Sequence, residues 1–207
     1  MSRIIAGSAG GRRLTMPVGA STRPTTDRVR EAFFSSLAAW LGTSEQPAAH
    51  QLEGVAFLDL FAGSGAVGLE ASSRGAGRVV CVEADPRTCE VIRDNVRATG
   101  LRADIVRDRA ERYLVDRSPA TAVGGFDVVW LDPPYPVPDD DIDRMIDQLV
   151  AGHWLRPDGL IVIERSARSR TPGFPAGIEA WQRRYGETVL HHAQVDAPGP
   201  DEESHEP

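Results

Sequence analysis

Residues 57–70 of the chain read Phe57-Leu58-Asp59-Leu60-Phe61-Ala62-Gly63-Ser64-Gly65-Ala66-Val67-Gly68-Leu69-Glu70. This stretch predicts a buried strand, a glycine turn and the first turns of a helix. Glycines let the backbone approach a ligand closely, and the N-terminus of the helix offers free N–H groups. The glycines also match the pattern G-x-G-x-x-G, with Glu83 twenty residues after Gly63. The stretch therefore predicts a ligand site at the end of the first strand of an α/β domain.

The rest of the chain alternates apolar runs with helical periodicity, which is typical of an α/β fold. The predicted strands are Val55–Leu60, Arg78–Glu83, Ala103–Val106, Asp127–Leu131, Leu160–Glu164 and Glu187–Val195. The predicted helices are Val67–Arg74, Arg87–Thr99, Glu111–Asp116 and Asp139–Ala151. Because the strands are nearly continuous runs of apolar residues, we expect a mostly parallel sheet with helices on both faces. Such sheets bind ligands at the carboxyl ends of their strands.

A short extension precedes this domain. Residues 3–6 and 12–16 predict two strands around a glycine-rich turn, where glycine supplies the positive φ that a tight turn needs. Thr26 and Asp27 predict the cap and the first turn of a helix. Its apolar stripe consists of Val29, Phe33, Leu37, Trp40 and Leu41. A polar linker over residues 43–51 then separates a hairpin-and-helix extension (1–45) from the main domain (52–195), and an acidic tail (197–207) is predicted to be disordered.

Charge is distributed unevenly along the chain. The net charge is −7, yet residues 1–30 hold six arginines and one acid, which is a net charge of +5. Residues 197–207 hold four acids and no arginine or lysine. An arginine-rich segment is what contacts to phosphates require, while an acidic remainder limits promiscuous binding. The predicted RNA contacts are Arg12, Arg13, Arg23, Arg28 and Arg30, and a solvated charged face is the alternative.

Bulk properties exclude several classes of protein. A chain of 207 residues fits one α/β domain with a small extension. No apolar run approaches the roughly 18–20 residues that a membrane span needs, and the N-terminus lacks the apolar core of a signal peptide. Cys81 and Cys89 do not form a CxxC motif and have no further Cys or His nearby in the sequence. We therefore expect two half-buried thiols and neither a disulfide nor a metal site. We therefore expect a cytoplasmic protein, and we expect it to be a monomer.

The glycine loop alone fits both S-adenosylmethionine and a nicotinamide dinucleotide, since in both cases an acid at the second strand, here Glu83, binds ribose hydroxyls. Asp59 favours the first ligand. It precedes Gly63 by four residues, where a carboxylate suits an ammonium group and would repel a pyrophosphate. Two structural alternatives remain open: Asp59 could pair with local backbone N–H groups, and the loop could be a tight turn without a ligand.

The tetrad Asp132-Pro133-Pro134-Tyr135 follows the predicted strand Asp127–Leu131. An exocyclic amino group of a base is a poor nucleophile because its lone pair is delocalised into the ring. The Asp132 carboxylate and the Pro133 carbonyl can accept hydrogen bonds from the two N–H groups of this amine. These bonds orient its lone pair towards an electrophilic methyl group. The prolines hold these acceptors in place. Tyr135 offers a face on which a flipped-out base can stack, worth about 1–3 kcal/mol. A proline-rich turn is the structural alternative.

With these motifs in place, the chain resembles the bacterial 16S rRNA guanine-N2 methyltransferases of the RsmD type from Arg3 to about Val195. The resemblance rests on Arg3–Gly7, on the block Arg23–Glu31, on the glycine loop through Glu70 and on the tetrad. The block Arg23–Glu31 is the most specific part, since other enzymes with this tetrad do not carry it ahead of the fold. The resemblance implies a Rossmann-like class I fold with a seven-stranded sheet, S-adenosylmethionine as the donor, and one guanine, of the guanine-966 type, in the small-subunit RNA as the target.

The resemblance also implies roles for individual residues. The donor is expected to contact Asp59, Phe61, Gly63, Ser64, Gly65, Glu83, Ala84, Asp108 and Ala110, and the target amino group is expected to contact Asp132, Pro133, Pro134 and Tyr135. Relatives usually carry Asp or Asn immediately before the alanine of the third-strand loop, where it contacts adenine. Here that residue is Arg109, so the adenine contact falls to Asp108 or to the Ala110 backbone, and the Arg109 side chain is not expected to be a ligand.

Three other functions compete with this interpretation. An adenine-N6 methyltransferase acting on DNA or another RNA would share the donor loop and the tetrad, although such enzymes usually add a sequence-reading domain. A nicotinamide dehydrogenase would share only the glycine loop, and the five histidines are scattered along the chain rather than gathered into a hydride-transfer site. A catalytically silent RNA-binding module is the third alternative.

Overall fold

The computed structural model describes residues 2–17, 25–117, 124–134 and 137–195. The predicted contacts Arg23 and Tyr135, and the tail predicted over residues 197–207, lie outside these ranges. The strands are β1 (Ser2–Arg3), β2 (Arg13–Leu14), β3 (Ala56–Asp59), β4 (Arg78–Glu83), β5 (Asp104–Arg107), β6 (Phe126–Leu131), β7 (Leu155–Ser166), β8 (Glu179–Tyr185) and β9 (Thr188–Val195). The α-helices are α1 (Asp27–Trp40), α2 (Ala66–Ser73), α3 (Pro86–Thr99), α4 (Ala110–Asp116) and α5 (Asp139–Ala151).

Seven strands form one sheet in the order β5-β4-β3-β6-β7-β9-β8. Strands β3 to β7 are paired in parallel, whereas β9 is antiparallel to both β7 and β8. The chain begins the sheet at β3, adds β4 and β5 on one side, and then crosses to β6 on the other side. The carboxyl ends of β3 and β6 therefore flank the switch point, where open α/β sheets bind their ligands.

Helices cover both faces of the sheet, as the nearly continuous apolar strands predicted. On one face, α4 and α5 contribute Leu114, Met145 and Ile146 to a buried core. On the other face, α1, α2 and α3 pack against β3, β4 and β6. Phe33 of α1 lies 4.7 Å from Trp130 between ring centroids. The helix of the extension therefore packs in the core beside the sheet. Among the described residues, no helix combines the length and apolarity that a membrane crossing requires.

A buried carboxylate anchors the N-terminal extension. Glu70 on α2 is fully buried and accepts hydrogen bonds from the backbone N–H groups of Ile5 and Ala6, at 2.6 and 3.0 Å. The same carboxylate pairs with buried Arg74, one helical turn later, at 2.9 Å. Because the N–H groups of Ile5 and Ala6 are directed to Glu70, the hairpin strands are shorter than predicted and pair only over Ser2–Arg3 and Arg13–Leu14.

Several local predictions are confirmed, and others are wrong. The Thr26 hydroxyl caps α1 by accepting from the Val29 N–H, as predicted. Trp40 was assigned to the buried stripe, but it is the last residue of α1 and is 37% exposed. Strand β8 was not predicted, because its polar sequence forms a strand only through pairing with β9. The two cysteines are free thiols that are fully buried rather than half-buried.

We expect Glu70→Ala to lower the free energy of unfolding by about 3–5 kcal/mol, because it leaves the Arg74 guanidinium buried without its partner. Urea denaturation followed by circular dichroism measures this change. The control is Glu90→Ala, which removes an exposed partner of Arg93 on α3 and should cost about 0–1 kcal/mol. Equal effects of the two substitutions would show that Glu70 does not anchor the extension.

Candidate active site

A cavity of about 900 Å³ opens at the carboxyl ends of the parallel strands. Every predicted donor contact except Gly65 lines this cavity: Asp59, Phe61, Gly63, Ser64, Glu83, Ala84, Asp108 and Ala110. Asp132 and Pro134 of the tetrad line it too, together with Thr25 from the extension. The structure thus brings the glycine loop, the ends of β4 and β5, and Asp132 and Pro134 to one space, whereas Pro133 is buried and is not among the residues that line the cavity.

The glycine loop adopts the backbone that its sequence requires. Gly63 and Gly65 have φ of +53° and +78°, and Gly65 is the residue that precedes α2. Gly68 is needed for a different reason. A Cβ atom at this position would lie 2.6 Å from the Cys81 sulfur, so only glycine lets α2 pack this closely on β4. The loop therefore presents the N-terminus of α2 to the cavity.

Asp59 ends β3 below the loop and is 1% exposed. Its Oδ2 accepts a hydrogen bond from the Gly68 N–H at 3.2 Å. Among the described residues, its buried Oδ1 has no hydrogen-bond partner. Burial is the main cause that raises the pKa of Asp59 to about 7, while the bond from Gly68 opposes the rise. One oxygen therefore supports the loop, as the structural alternative predicted, and the other keeps its lone pairs for a further donor.

Glu83, the last residue of β4, braces the opposite side of the loop. Its Oε2 accepts from the Gly63 N–H and its Oε1 from the Asp85 N–H, both at 2.9 Å. Asp85 in turn caps α3 by accepting from the N–H groups of Arg87 and Thr88. The carboxylate of Glu83 is thereby held at the cavity edge in a fixed orientation. Each of its oxygens keeps a lone pair for a further donor.

The loop after β5 contributes Asp108, Arg109 and Ala110 to the cavity wall. Asp108 is partly buried and accepts from the Arg109 N–H at 2.9 Å. Ala110 is buried and begins α4, whereas Arg109 is exposed. The position that usually carries Asp or Asn thus places an exposed arginine at the cavity rim, and Asp108 supplies the carboxylate of this loop.

Asp132 follows β6 at the switch point, and its Oδ2 lies 3.2 Å from the Thr25 hydroxyl. The same hydroxyl lies 2.6 Å from Oε2 of Glu164, which is on β7 and 9% exposed. Burial raises the pKa of Asp132 to about 7, opposed by the hydrogen bond from Thr25 and by the charge of Arg165. Burial likewise raises the pKa of Glu164 to about 8, and the charge of Asp132 adds to the rise. Two acidic groups are therefore gathered around one threonine.

The predicted RNA contacts differ in their environments. Arg30 was predicted to contact RNA, and this is wrong because its side chain is fully buried. Its guanidinium donates to the Ser2 hydroxyl, to the Arg3 carbonyl and to Asp27, so it joins α1 to the hairpin. Arg12, Arg13 and Arg28 are exposed, as phosphate contacts require. The Arg12 guanidinium also donates to the Ala98 carbonyl at 2.9 Å, which orients its side chain.

Two residues of this site were missed by the sequence-based interpretation. Thr25 was noted only as part of the block before α1, and Glu164 only as the end of a strand. The local pattern around Thr25 signals no role, because Thr25 lies 139 residues from Glu164 and the two meet only in the folded chain. A glutamate inside the apolar run of β7 is the one available sign, since buried carboxylates are rare without a partner.

Comparison with known proteins agrees with this geometry. The family described as "Conserved hypothetical protein 95" matches residues 2–194. A protein named ribosomal RNA small subunit methyltransferase D from Escherichia coli K12 is 32% identical over 199 residues, which cover 95% of this chain and 91% of that protein. A protein named putative rRNA methyltransferase YlbH from Bacillus subtilis is 34% identical over 172 residues, 82% and 85% of the two chains.

The structural comparison extends over nearly the same length. The solved structure titled "Putative methyltransferase yhhF" from Escherichia coli superposes with a TM-score of 0.76 at 29% identity, covering 95% of this chain and 99% of that one. The predicted Rossmann-like methyltransferase fold with a mostly parallel seven-stranded sheet is thereby confirmed. The nicotinamide dehydrogenase is excluded by the same matches. The chain belongs to the Conserved hypothetical protein 95 family, which is the family of RsmD-type methyltransferases.

Proposed function

We propose that this chain methylates the N2 amino group of one guanine in the 16S rRNA of the small ribosomal subunit. At the coarser level the chain is an rRNA methyltransferase, in line with relatives named for the RNA of the small subunit. The position of Asp132 supports methylation of an exocyclic amino group, and membership of the RsmD-type family supports guanine rather than adenine as the target. Asp132 follows β6 beside the donor cavity and begins the Asp-Pro-Pro turn, where a fixed carboxylate suits an exocyclic amino group.

S-adenosylmethionine is the methyl donor, and when bound it supplies an electrophilic methyl group. The residues around the cavity fit this molecule. The unpaired Oδ1 of Asp59 suits the ammonium group of the methionine part, and the Gly63–Ser64 backbone approaches that part closely. Glu83 holds the ribose hydroxyls with its remaining lone pairs. Asp108 and the Ala110 backbone then contact the adenine.

The chain's own residues activate the target amine by position rather than by strong base chemistry. Asp132 and the Pro133 carbonyl accept hydrogen bonds from the two N–H groups of the amine. This orientation reduces the delocalisation of the nitrogen lone pair into the ring. Pro133 and Pro134 restrict the backbone, so the acceptors need little reorganisation during the reaction. Tyr135 stacks against the flipped-out base, and Arg12, Arg13, Arg23 and Arg28 hold the RNA phosphates.

The target assignment is tested with Asp132→Asn, which keeps the shape of the side chain but removes the charged acceptor. We expect methyl transfer to small ribosomal subunits to fall by at least about 100-fold, because the acceptor acts on the reacting group. Binding of S-adenosylhomocysteine, measured by calorimetry, should stay within a few-fold. Nucleoside mass analysis of the product should show N2-methylguanine.

The control for this experiment is Asp127→Asn, which changes an aspartate of β6 that accepts from the Ala56 N–H and Arg156 away from the cavity. It should leave turnover nearly unchanged. Methyl transfer to duplex DNA, measured alongside transfer to the small subunits, tests the alternative that the chain is an adenine-N6 methyltransferase. Turnover of Asp132→Asn equal to that of the unaltered protein would contradict the role of Asp132, and N6-methyladenine as the product would contradict the guanine assignment.

Donor binding should depend on pH through Asp59. A bound ammonium group favours the ionised carboxylate, and in the free protein the pKa of Asp59 is raised to about 7. Below that pH, binding must release a proton, so we expect the affinity for S-adenosylhomocysteine to fall by up to about tenfold per pH unit from 7 to 5.5. Calorimetry in buffers of different ionisation enthalpy measures the released proton.

The matched variant for this measurement is Asp59→Asn, which cannot ionise. It should bind more weakly at pH 7, and its affinity should be independent of pH over the same range. A proton release that persists in Asp59→Asn would assign the linkage to a different group.

The RNA-contact assignment is tested by comparing two exposed arginines of the extension with one elsewhere. Arg13→Glu and Arg28→Glu should weaken binding to small subunits and make the slope of log affinity against log salt shallower by about 0.7–0.9 for each lost phosphate contact. Arg168, whose side chain is 88% exposed beyond β7, serves as the control through Arg168→Glu. Equal loss of affinity in all three variants would point to net charge rather than to a phosphate contact.

A further inference from the structure

The Thr25 hydroxyl contacts two carboxyl groups but has only one hydrogen to donate. Its oxygen lies 3.2 Å from Asp132 and 2.6 Å from Glu164. A hydroxyl donates one hydrogen bond and accepts others. Both contacts are therefore hydrogen bonds only when one of the two carboxyl groups carries a proton and donates it to the threonine oxygen. With both groups ionised, two negative charges would compete for one hydrogen in a buried place, which is unfavourable.

We propose that Asp132, Thr25 and Glu164 form a proton-sharing relay in which neutral Glu164 donates to Thr25 and Thr25 donates to ionised Asp132. This inference rests on the proposed function, because it assigns Asp132 as the acceptor of the target amine. Thr25 and Glu164 become positioning residues for that acceptor. The direction of the relay follows from the site: Asp132 and Thr25 line the cavity and Glu164 is buried, so the proton is held on the group farther from the substrate.

The surrounding charges are consistent with one negative charge on the pair. The charge of Arg30 from α1 lowers the pKa of Glu164, and the charge of Arg165 from β7 lowers that of Asp132. The guanidinium groups themselves pair with Asp27 and Asp139, respectively. Asp59 from β3 is a further acid next to Asp132, and His191 from β9 faces Arg165 with its own pKa lowered by burial. Burial raises the pKa of both Glu164 and Asp132, which favours a proton retained by the pair.

Within the relay, ionised Asp132 is the group that takes up the proton that the reaction must remove. When the amine nitrogen forms its bond to the methyl carbon, the carbon–sulfur bond breaks and its electron pair stays on sulfur. The nitrogen then carries a positive charge and gives one N–H proton to Asp132. The pair now holds two protons, and it returns one to water through the open cavity before the next turnover. No other reactant is needed, and Glu164 keeps its proton throughout.

The first test is a titration of the free protein from pH 5 to 9, followed by NMR of ¹³C-labelled carboxyl groups. Asp132→Asn identifies the signal of Asp132. In the unaltered protein we expect this signal to respond in two steps, because interacting acids titrate as a pair. In Glu164→Gln, whose amide N–H takes the place of the acid proton, the upper step should be absent. A single Asp132 step that is the same in both proteins would overturn the proposal.

The second test measures single-turnover methylation of small subunits as a function of pH. Thr25→Val removes the hydroxyl that favours ionised Asp132. The acid limb of the pH–rate profile, where the rate falls as Asp132 becomes protonated, should therefore move to higher pH, and the rate at neutral pH should fall at least about tenfold. Thr25→Ser should restore both. A merely structural role for Thr25 would lower the rate without moving the limb, and this result would overturn the relay.

Thr99→Val is the matched control, because it removes another buried hydroxyl, one that donates to the Asn95 carbonyl at 2.7 Å on α3. Neither its rate nor its acid limb should change. The two levels of inference fail in different ways. Full activity of Asp132→Asn would contradict the proposed function, whereas loss of activity in Asp132→Asn together with an unmoved limb in Thr25→Val would contradict the relay alone.

Discussion

The parallel pairing of β3 with β6 is the constraint on which the site depends. It places Asp59 opposite Trp130, so that the two strands end side by side where the sheet reverses its order. The glycine loop leaves one strand and the Asp-Pro-Pro turn leaves the other. One cavity thus receives both the groups that suit a methyl donor and the acceptor that suits an amine, although Asp132 follows Gly63 by 69 positions in the chain.

Burial of acids is the second constraint. Asp59, Asp132 and Glu164 all lie where water is scarce, and burial raises the pKa of each. A carboxyl group in such a place is costly unless it gains a partner. Gly68 and Thr25 supply part of what is needed from the protein. The cationic end of the donor and the amine of the target are the further partners that we propose for Asp59 and Asp132.

The N-terminal extension takes part in the site rather than merely preceding the catalytic domain. Glu70 holds the hairpin from the side of α2, and Arg30 joins the hairpin to α1. Both residues are fully buried in this role. This anchoring places Thr25, at the entrance to α1, beside Asp132. The segment with exposed arginines is thereby coupled to the acceptor of the proposed reaction.

The sequence by itself determined the order of most elements, the mostly parallel arrangement of the strands and the glycine loop that lines the cavity, because those features depend on local periodicity and on glycines with fixed backbone needs. It could not show that Arg30 is buried and Arg28 exposed, because the sequence pattern around an arginine does not reveal its burial. It also missed β8, which is stabilised by pairing with β9 rather than by an apolar pattern. Only the tertiary structure decided that Thr25 and Glu164 meet at Asp132, because a hydrogen bond between residues 139 apart depends on how helix and sheet pack.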